Sequence, residues 1–87
     1  LLIISKQHEA IRDKIIGDLN RGGTYLKGEG MFNKEEKQII FTVVNRRELS
    51  ILQDHIHTLD PEAFMTVIDA NEIIGKGFKS LKEKVSS

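Results

Sequence analysis

Residues 38 to 61 constrain the fold more than any other stretch of this chain. Gln38-Ile39-Ile40-Phe41-Thr42-Val43-Val44 is a run of β-branched and aromatic residues, the composition of a strand. Asn45 follows it, a residue type whose side chain accepts from the first free amides of a helix. Glu48 stands three positions on, where its carboxylate can reach back to the amide of the cap. Leu49, Leu52, Ile56 and Leu59 then recur at helical spacing. Asp60-Pro61 ends the run, because the residue before a proline avoids the helical region. The stretch predicts a strand, a capped helix and a sharp stop.

The flanking segments repeat the alternation. Leu1 to Ser5 is a short apolar run, the pattern of a central strand buried on both faces. Ser5 or Gln7 opens a helix whose apolar face carries Ile11, Ile15 and Leu19, with Ala10 and Ile16 beside them. Asn20-Arg21-Gly22-Gly23 closes that helix, with glycine expected to supply the left-handed stop. Thr24 to Phe32 is extended, and Gly28 and Gly30 interrupt it as a bulge would. Asn33 to Lys37 is a polar turn that makes this segment and the next strand a hairpin. Ala63 to Asp69 alternates as a fourth strand, and Phe78, Leu81 and Val85 share one side of a short C-terminal helix.

Strand, helix, strand, strand, helix, strand is the α+β, ferredoxin-like βαββαβ order: a four-stranded antiparallel sheet with both helices on one face. The other face stays uncovered, with Tyr25, Phe41 or Met65 as the candidate residues on it, and is a candidate oligomer or ligand surface. Eighty-seven residues make a single domain, 1–87, with a folded core of about 1–78. The abrupt apolar opening without methionine reads as a fragment of a longer protein, and it is too short for a signal peptide or a membrane span.

Charge is balanced, with 13 basic and 13 acidic residues, so the surplus that neutralises phosphates in nucleic-acid binders is lacking and no nucleic acid is expected as partner. There is no cysteine, hence no disulfide and no thiolate chemistry. His55-x-His57 lies on the second helix, where residues two apart point in different directions, so no metal is expected there. No cofactor motif is present. Gly28-Glu29-Gly30 lacks the third glycine and the following helix of a dinucleotide fingerprint, and Gly75-Lys76-Gly77 lacks the Ser or Thr after lysine of a phosphate loop. Both pairs instead suggest backbone geometry that seats Phe32 and Phe78.

Two clusters suit an anion. Arg46-Arg47 stands at a helix N-terminus, against the helix dipole, where guanidinium groups and free amides can hold a phosphate or carboxylate. The plainer reading is a surface pair held by Glu48 or Asp69. Arg21-Gly22-Gly23-Thr24 offers amides, a hydroxyl and a cation, as an anion nest does, and is equally read as a plain helix-to-strand turn. Glu29, Glu48, Glu72 and Asp69 supply carboxylates, but no nucleophile–base pair stands beside them and no enzyme is expected. An acylphosphatase-type hydrolase would want an arginine-bearing phosphate loop, and Ser5-Lys6-Gln7-His8 has none.

Five segments in order carry a resemblance: Arg21-Gly22-Gly23-Thr24, Gly28-Glu29-Gly30, Val44-Asn45-Arg46-Arg47-Glu48-Leu49, Asp60-Pro61-Glu62-Ala63-Phe64, and Asp69-Ala70-Asn71-Glu72-Ile73-Ile74-Gly75-Lys76-Gly77-Phe78. Together they resemble the C-terminal domain of YitT-type bacterial membrane proteins, a domain of unknown function. That family often carries an aromatic residue, commonly tyrosine, after the Gly-x-Gly loop, where Met31-Phe32 stands here. The resemblance implies a parent in the cell membrane with N-terminal membrane helices, and this domain on the cytoplasmic side. It also implies a fold like that of PII signalling proteins, whose relatives are regulatory trimers that bind nucleotides between subunits.

The expectation is therefore a regulatory, ligand-sensing domain that forms a trimer or dimer and binds a small anionic metabolite or nucleotide. Its candidate ligand residues are Arg21, Gly22, Gly23, Thr24, Gly28, Gly30, Arg46, Arg47, Glu72, Gly75 and Gly77. The alternative is a structural self-association module without a ligand.

Overall fold

A computed structural model describes residues 1–71, 73 and 74. Its elements are β1 (Leu2–Ile4), α1 (His8–Asp13) continuing through a π-helical turn (Lys14–Asp18), β2 (Gly23–Glu29), β3 (Glu36–Thr42), α2 (Arg46–Leu59) and β4 (Phe64–Thr66). The strands form one antiparallel sheet in the order β2-β3-β1-β4. This is the ferredoxin-like arrangement that the element order predicts. The predicted helix at 78–85, with Gly75, Gly77 and Phe78, lies outside the described residues, as does Glu72.

Side-chain alternation in the register decides the faces. Ile3 lies opposite Ile40 and Met65, and Tyr25 lies opposite Ile40, so these share one face. On that face Ile3 and Ile40 form a single buried cluster with Ile11 and Ile15 of the first helix and Leu52 and Ile56 of α2. Burying each of these side chains contributes roughly 1.5–3 kcal/mol, so this cluster holds both helices to the sheet. The opposite face carries Leu2, Phe41, Leu26 and Phe64, and among the described residues no element covers it.

Of the three residues expected on the uncovered face, only Phe41 is there. Met65 packs against the core cluster, and Tyr25 meets the ring of His8 edge-on at 5.6 Å on the helix side. His8 is half-buried. Since side chains alternate with period two, placing Tyr25 and Phe41 together required an even offset that the register does not have.

The helix ends also correct the sequence reading. Gln7 caps α1 without a side-chain bond, and its amide donates to Ser5 Oγ at 2.9 Å. In the π turn Leu19 N donates to Lys14 O, one residue further back than in an α-helix, which keeps Ile15 buried and leaves Ile16 exposed. The left-handed stop belongs to Asn20, with φ 54°, not to the glycines after it. Asparagine can take that role because its short polar side chain tolerates the conformation.

The β2–β3 pairing runs without interruption from Gly23 opposite Thr42 to Glu29 opposite Glu36, so Gly28 sits in a regular ladder and makes no bulge. Gly30 begins the hairpin loop instead. Lys34 N donates to Gly30 O at 2.9 Å, Gly30 N donates to Glu35 O at 2.8 Å, and Lys34 takes φ 57°. This tight loop leaves Met31 and Phe32 fully exposed, so the glycine pair does not seat Phe32 against anything. β3 ends at Thr42 and β4 spans only Phe64–Thr66, both shorter at their C-terminal ends than the apolar runs suggest.

Candidate functional site

The two ends of the sheet are chemically different. Leu1 N donates to Thr42 O and Thr42 N donates to Leu1 O, both at 3.1 Å, so the end of β3 lies beside the start of β1. The N-terminus of α2 and the segment after β4 reach the same end. There Leu1, Leu2, Phe41, Val44, Val67 and Ile68 line a groove of ≈ 360 Å³, with Arg46 and Asp69 at its border.

Asn45 builds this end from the sequence upward. Its side chain accepts from Glu48 N at 2.8 Å, and Asn45 N donates to Glu48 Oε1 at 2.9 Å, the reciprocal cap predicted from residue types. Glu48 is only 3% exposed, and a buried carboxylate needs a cation as well as donors. Arg21 supplies it, with Nε donating to Oε1 at 3.2 Å and to Oε2 at 3.0 Å. Glu48 therefore holds Arg21 and not the Arg46-Arg47 pair beside it.

The glycine loop is built into the same joint. Gly22 O accepts from Thr42 Oγ1 at 2.8 Å, and Gly23 and Thr24 are ladder residues opposite Thr42 and Phe41. Arg21, Gly22, Gly23 and Thr24 thus lie together near α2, with Arg21 bonded to Glu48. Arg46 and Arg47 share that end of the molecule and are exposed, and among the described residues neither forms an ion pair. Gly28 and Gly30 sit at the far end, near the hairpin tip, and do not join them.

The far end holds a second cleft of ≈ 360 Å³ between the end of β1 and the start of β3. Ser5 Oγ donates to Asp60 Oδ2 at 2.6 Å, and Glu62 N donates to Asp60 Oδ1 at 3.0 Å. The serine hydroxyl, the largest influence, holds the Asp60 carboxyl below its usual range; burial opposes it as the next largest, and the backbone amides of Glu62 and Lys6 and the Lys6 charge add smaller lowering effects. Among the described residues no group of three His, Asp or Glu side chains is placed to hold a metal ion; His55 and His57 lie on α2. Sequence reasoning missed the Arg21–Glu48 pair and the groove. The signal for the groove was Val67-Ile68, apolar residues continuing past a strand that ends at Thr66.

Residues 21–75 match a family described as "Uncharacterized protein conserved in bacteria (DUF2179)". This chain belongs to the DUF2179 family. Similar proteins of Bacillus subtilis (strain 168) include UPF0750 membrane protein YpjC, 40% identical over 76 residues that make up 87% of this chain and 26% of YpjC. UPF0750 membrane protein YitT is 31% identical over 74 residues, 85% of this chain and 26% of YitT. The chain therefore spans about a quarter of the length of these relatives and matches their C-terminal part. A crystal structure of a DUF2179 protein from Eubacterium ventriosum superposes with a TM-score of 0.66 at 28% identity, covering 77% of this chain and 92% of that one. The DUF2179 domain thus occurs within membrane proteins, and among the described residues no helix here is long and apolar enough to cross a membrane.

Proposed function

We propose that this DUF2179 domain is the non-catalytic regulatory module of a bacterial membrane protein, lying on its cytoplasmic side and self-associating through the uncovered face of its sheet. The observation that carries this reading is the apolar character of that face. Phe41, Leu26 and Phe64 are 45%, 43% and 63% exposed on one face of the sheet, and among the described residues no element lies over them. A small domain gains stability by burying such a surface against a copy of itself. Assembly that shifts with a ligand would bias the attached membrane part through a change in population. Sedimentation velocity of residues 1–87 tests it. The expected result is a dimer or trimer that Phe41→Glu converts to a folded monomer. A monomeric wild type at high concentration overturns the assembly reading.

A second observation supports an anionic ligand. Arg46 and Arg47 stand unpaired, among the described residues, at the N-terminus of the 14-residue helix α2, where cations are disfavoured unless an anion joins them. Thermal-shift measurements with nucleotides and other anionic metabolites test this. A ligand at a hundredfold excess over its dissociation constant stabilises by about 2.7 kcal/mol. No shift with any of them leaves the structural assembly module as the reading.

A further inference from the structure

We infer that the end of the domain bearing Leu1, Arg46 and Val67 is a docking surface for an anionic lipid bilayer, through which the domain rests against the membrane. This deepens the anionic-ligand reading of Arg46 and Arg47, on which it rests together with the membrane-protein reading, and names the lipid phosphate headgroup as the anion.

Three features converge at that end. Arg46 and Arg47 are exposed cations without an ion pair among the described residues. Val67 and Ile68 are exposed apolar residues, and Arg46, Val67 and Ile68 border the same groove. A surface that mixes cations with apolar side chains suits the headgroup layer, where the charge meets phosphate and the apolar groups enter the acyl boundary.

The third feature is direction. The relatives match this chain over their C-terminal quarter, so in them the remaining chain joins at the Leu1 side of the domain. Leu1 is fixed beside Thr42, and α2 starts at the same end and finishes at the other, where Asp60 meets Ser5. The arginines and Val67-Ile68 therefore face the side from which the rest of such a protein comes.

Charge on the other end has the opposite balance. The far cleft is lined by Glu35, Glu36, Asp60 and Glu62 against Lys6 and Lys37. Asp69 lies at the Leu1 end and offsets part of the arginine charge. A domain polarised this way turns its arginine end toward a negative surface and its acidic cleft away from it.

Cosedimentation of residues 1–87 with vesicles tests the proposal, comparing phosphatidylcholine alone with an equimolar mixture of phosphatidylcholine and phosphatidylglycerol. Binding is expected only with phosphatidylglycerol, falling with salt and falling roughly fivefold for each of Arg46→Gln and Arg47→Gln. Val67→Ser with Ile68→Ser is expected to weaken it as well. Met31→Ser with Phe32→Ser, at the opposite end, is expected to leave it unchanged. Unchanged melting of each variant shows that the fold is kept. Three outcomes overturn the proposal: no phosphatidylglycerol-dependent binding, binding indifferent to both arginine variants, or binding lost with the hairpin-tip variant. When the first of these comes with stabilisation by soluble nucleotide or inorganic phosphate, the anionic-ligand reading stays in place.

Discussion

Arg21 and Glu48, 27 residues apart, meet with the guanidinium Nε 3.0 Å from one carboxylate oxygen and 3.2 Å from the other. The pair ties the turn after the first helix to the first turn of α2. Since Glu48 also accepts from Asn45 N, one buried carboxylate serves a long-range ion pair and a local cap.

Removing Arg21 leaves a buried carboxylate without this ion pair, and removing Glu48 loses the ion pair and the cap together, so the Glu48 side is the worse loss. Breaking a buried pair from one side costs about 3–5 kcal/mol. Glu48→Ala also loses the bond to the cap amide, worth about 1 kcal/mol. Thermal melts are expected to drop by more than about 10 °C for Glu48→Ala. Arg21→Ala should fall nearly as far, and the double variant should lose less than the sum of the two singles.

The two strand glycines behave differently when given a side chain. A Cβ at Gly23 would lie 3.0 Å from the backbone oxygen of Phe41, which the ladder holds in place. A Cβ at Gly28 would lie 3.0 Å from Ile39 Cδ1, the free end of a flexible side chain. Gly28→Ala is expected to change stability by less than about 0.5 kcal/mol, the relief in unfolded-chain entropy offsetting a small displacement of the isoleucine methyl. Gly23→Ala is expected to destabilise by about 1–2 kcal/mol. Urea denaturation of the two variants checks the contrast.

Acid sensitivity should report on the far cleft. The folded state lowers the Asp60 pKa from 3.8, chiefly through the Ser5 hydroxyl. A carboxylate with a depressed folded pKa contributes stability that is complete above its unfolded value and lost as pH falls through the folded one. The melting temperature should therefore decline below about pH 4, and Ser5→Ala should make that decline shallower, because it removes the largest of the effects that lower the Asp60 pKa. Melting curves between pH 2 and pH 7, roughly the span over which a carboxylate changes state, measure this.

The core should show its size in the largest truncation. Leu52 is fully buried among Ile3, Ile11, Ile15, Ile40 and Ile56. Leu52→Ala is expected to cost about 2–5 kcal/mol, a large part of the stability of so short a chain. Met31→Ser with Phe32→Ser, on fully exposed residues, should stay within about 0.5 kcal/mol of wild type. Calorimetry of the three proteins decides it.

What was legible in the sequence was local. The Asn45–Glu48 cap and the Asp60-Pro61 stop each depend on neighbours a few positions apart, and both stand where their residue types put them. The Arg21–Glu48 pair depends on two segments meeting in space, and residue types alone gave Glu48 no reason to be buried. Gly28 and Gly30 show the same limit: a glycine pair fits a bulge or a loop entry equally well, and only the unbroken ladder down to Glu29–Glu36 separates the two. The face of Tyr25 turned on the same register. Val67 and Ile68 extended the strand pattern past its last pairing at Leu2–Thr66, because an apolar residue reads alike whether a neighbouring strand or a groove receives it.

The position of β1 has a consequence for synthesis. It is the first strand of this sequence to be made and sits in the middle of the sheet, with β3 on one side and β4 on the other. Its first partner arrives only with residues 36–42 and its second only with residues 64–66. Until then a hydrophobic strand waits with unfilled hydrogen-bonding edges while translation proceeds at about 5–20 residues per second. The hairpin of β2 and β3 can close alone in microseconds, so it is the natural template onto which the waiting strand is captured, and β4 acts as the latch that closes the order of assembly.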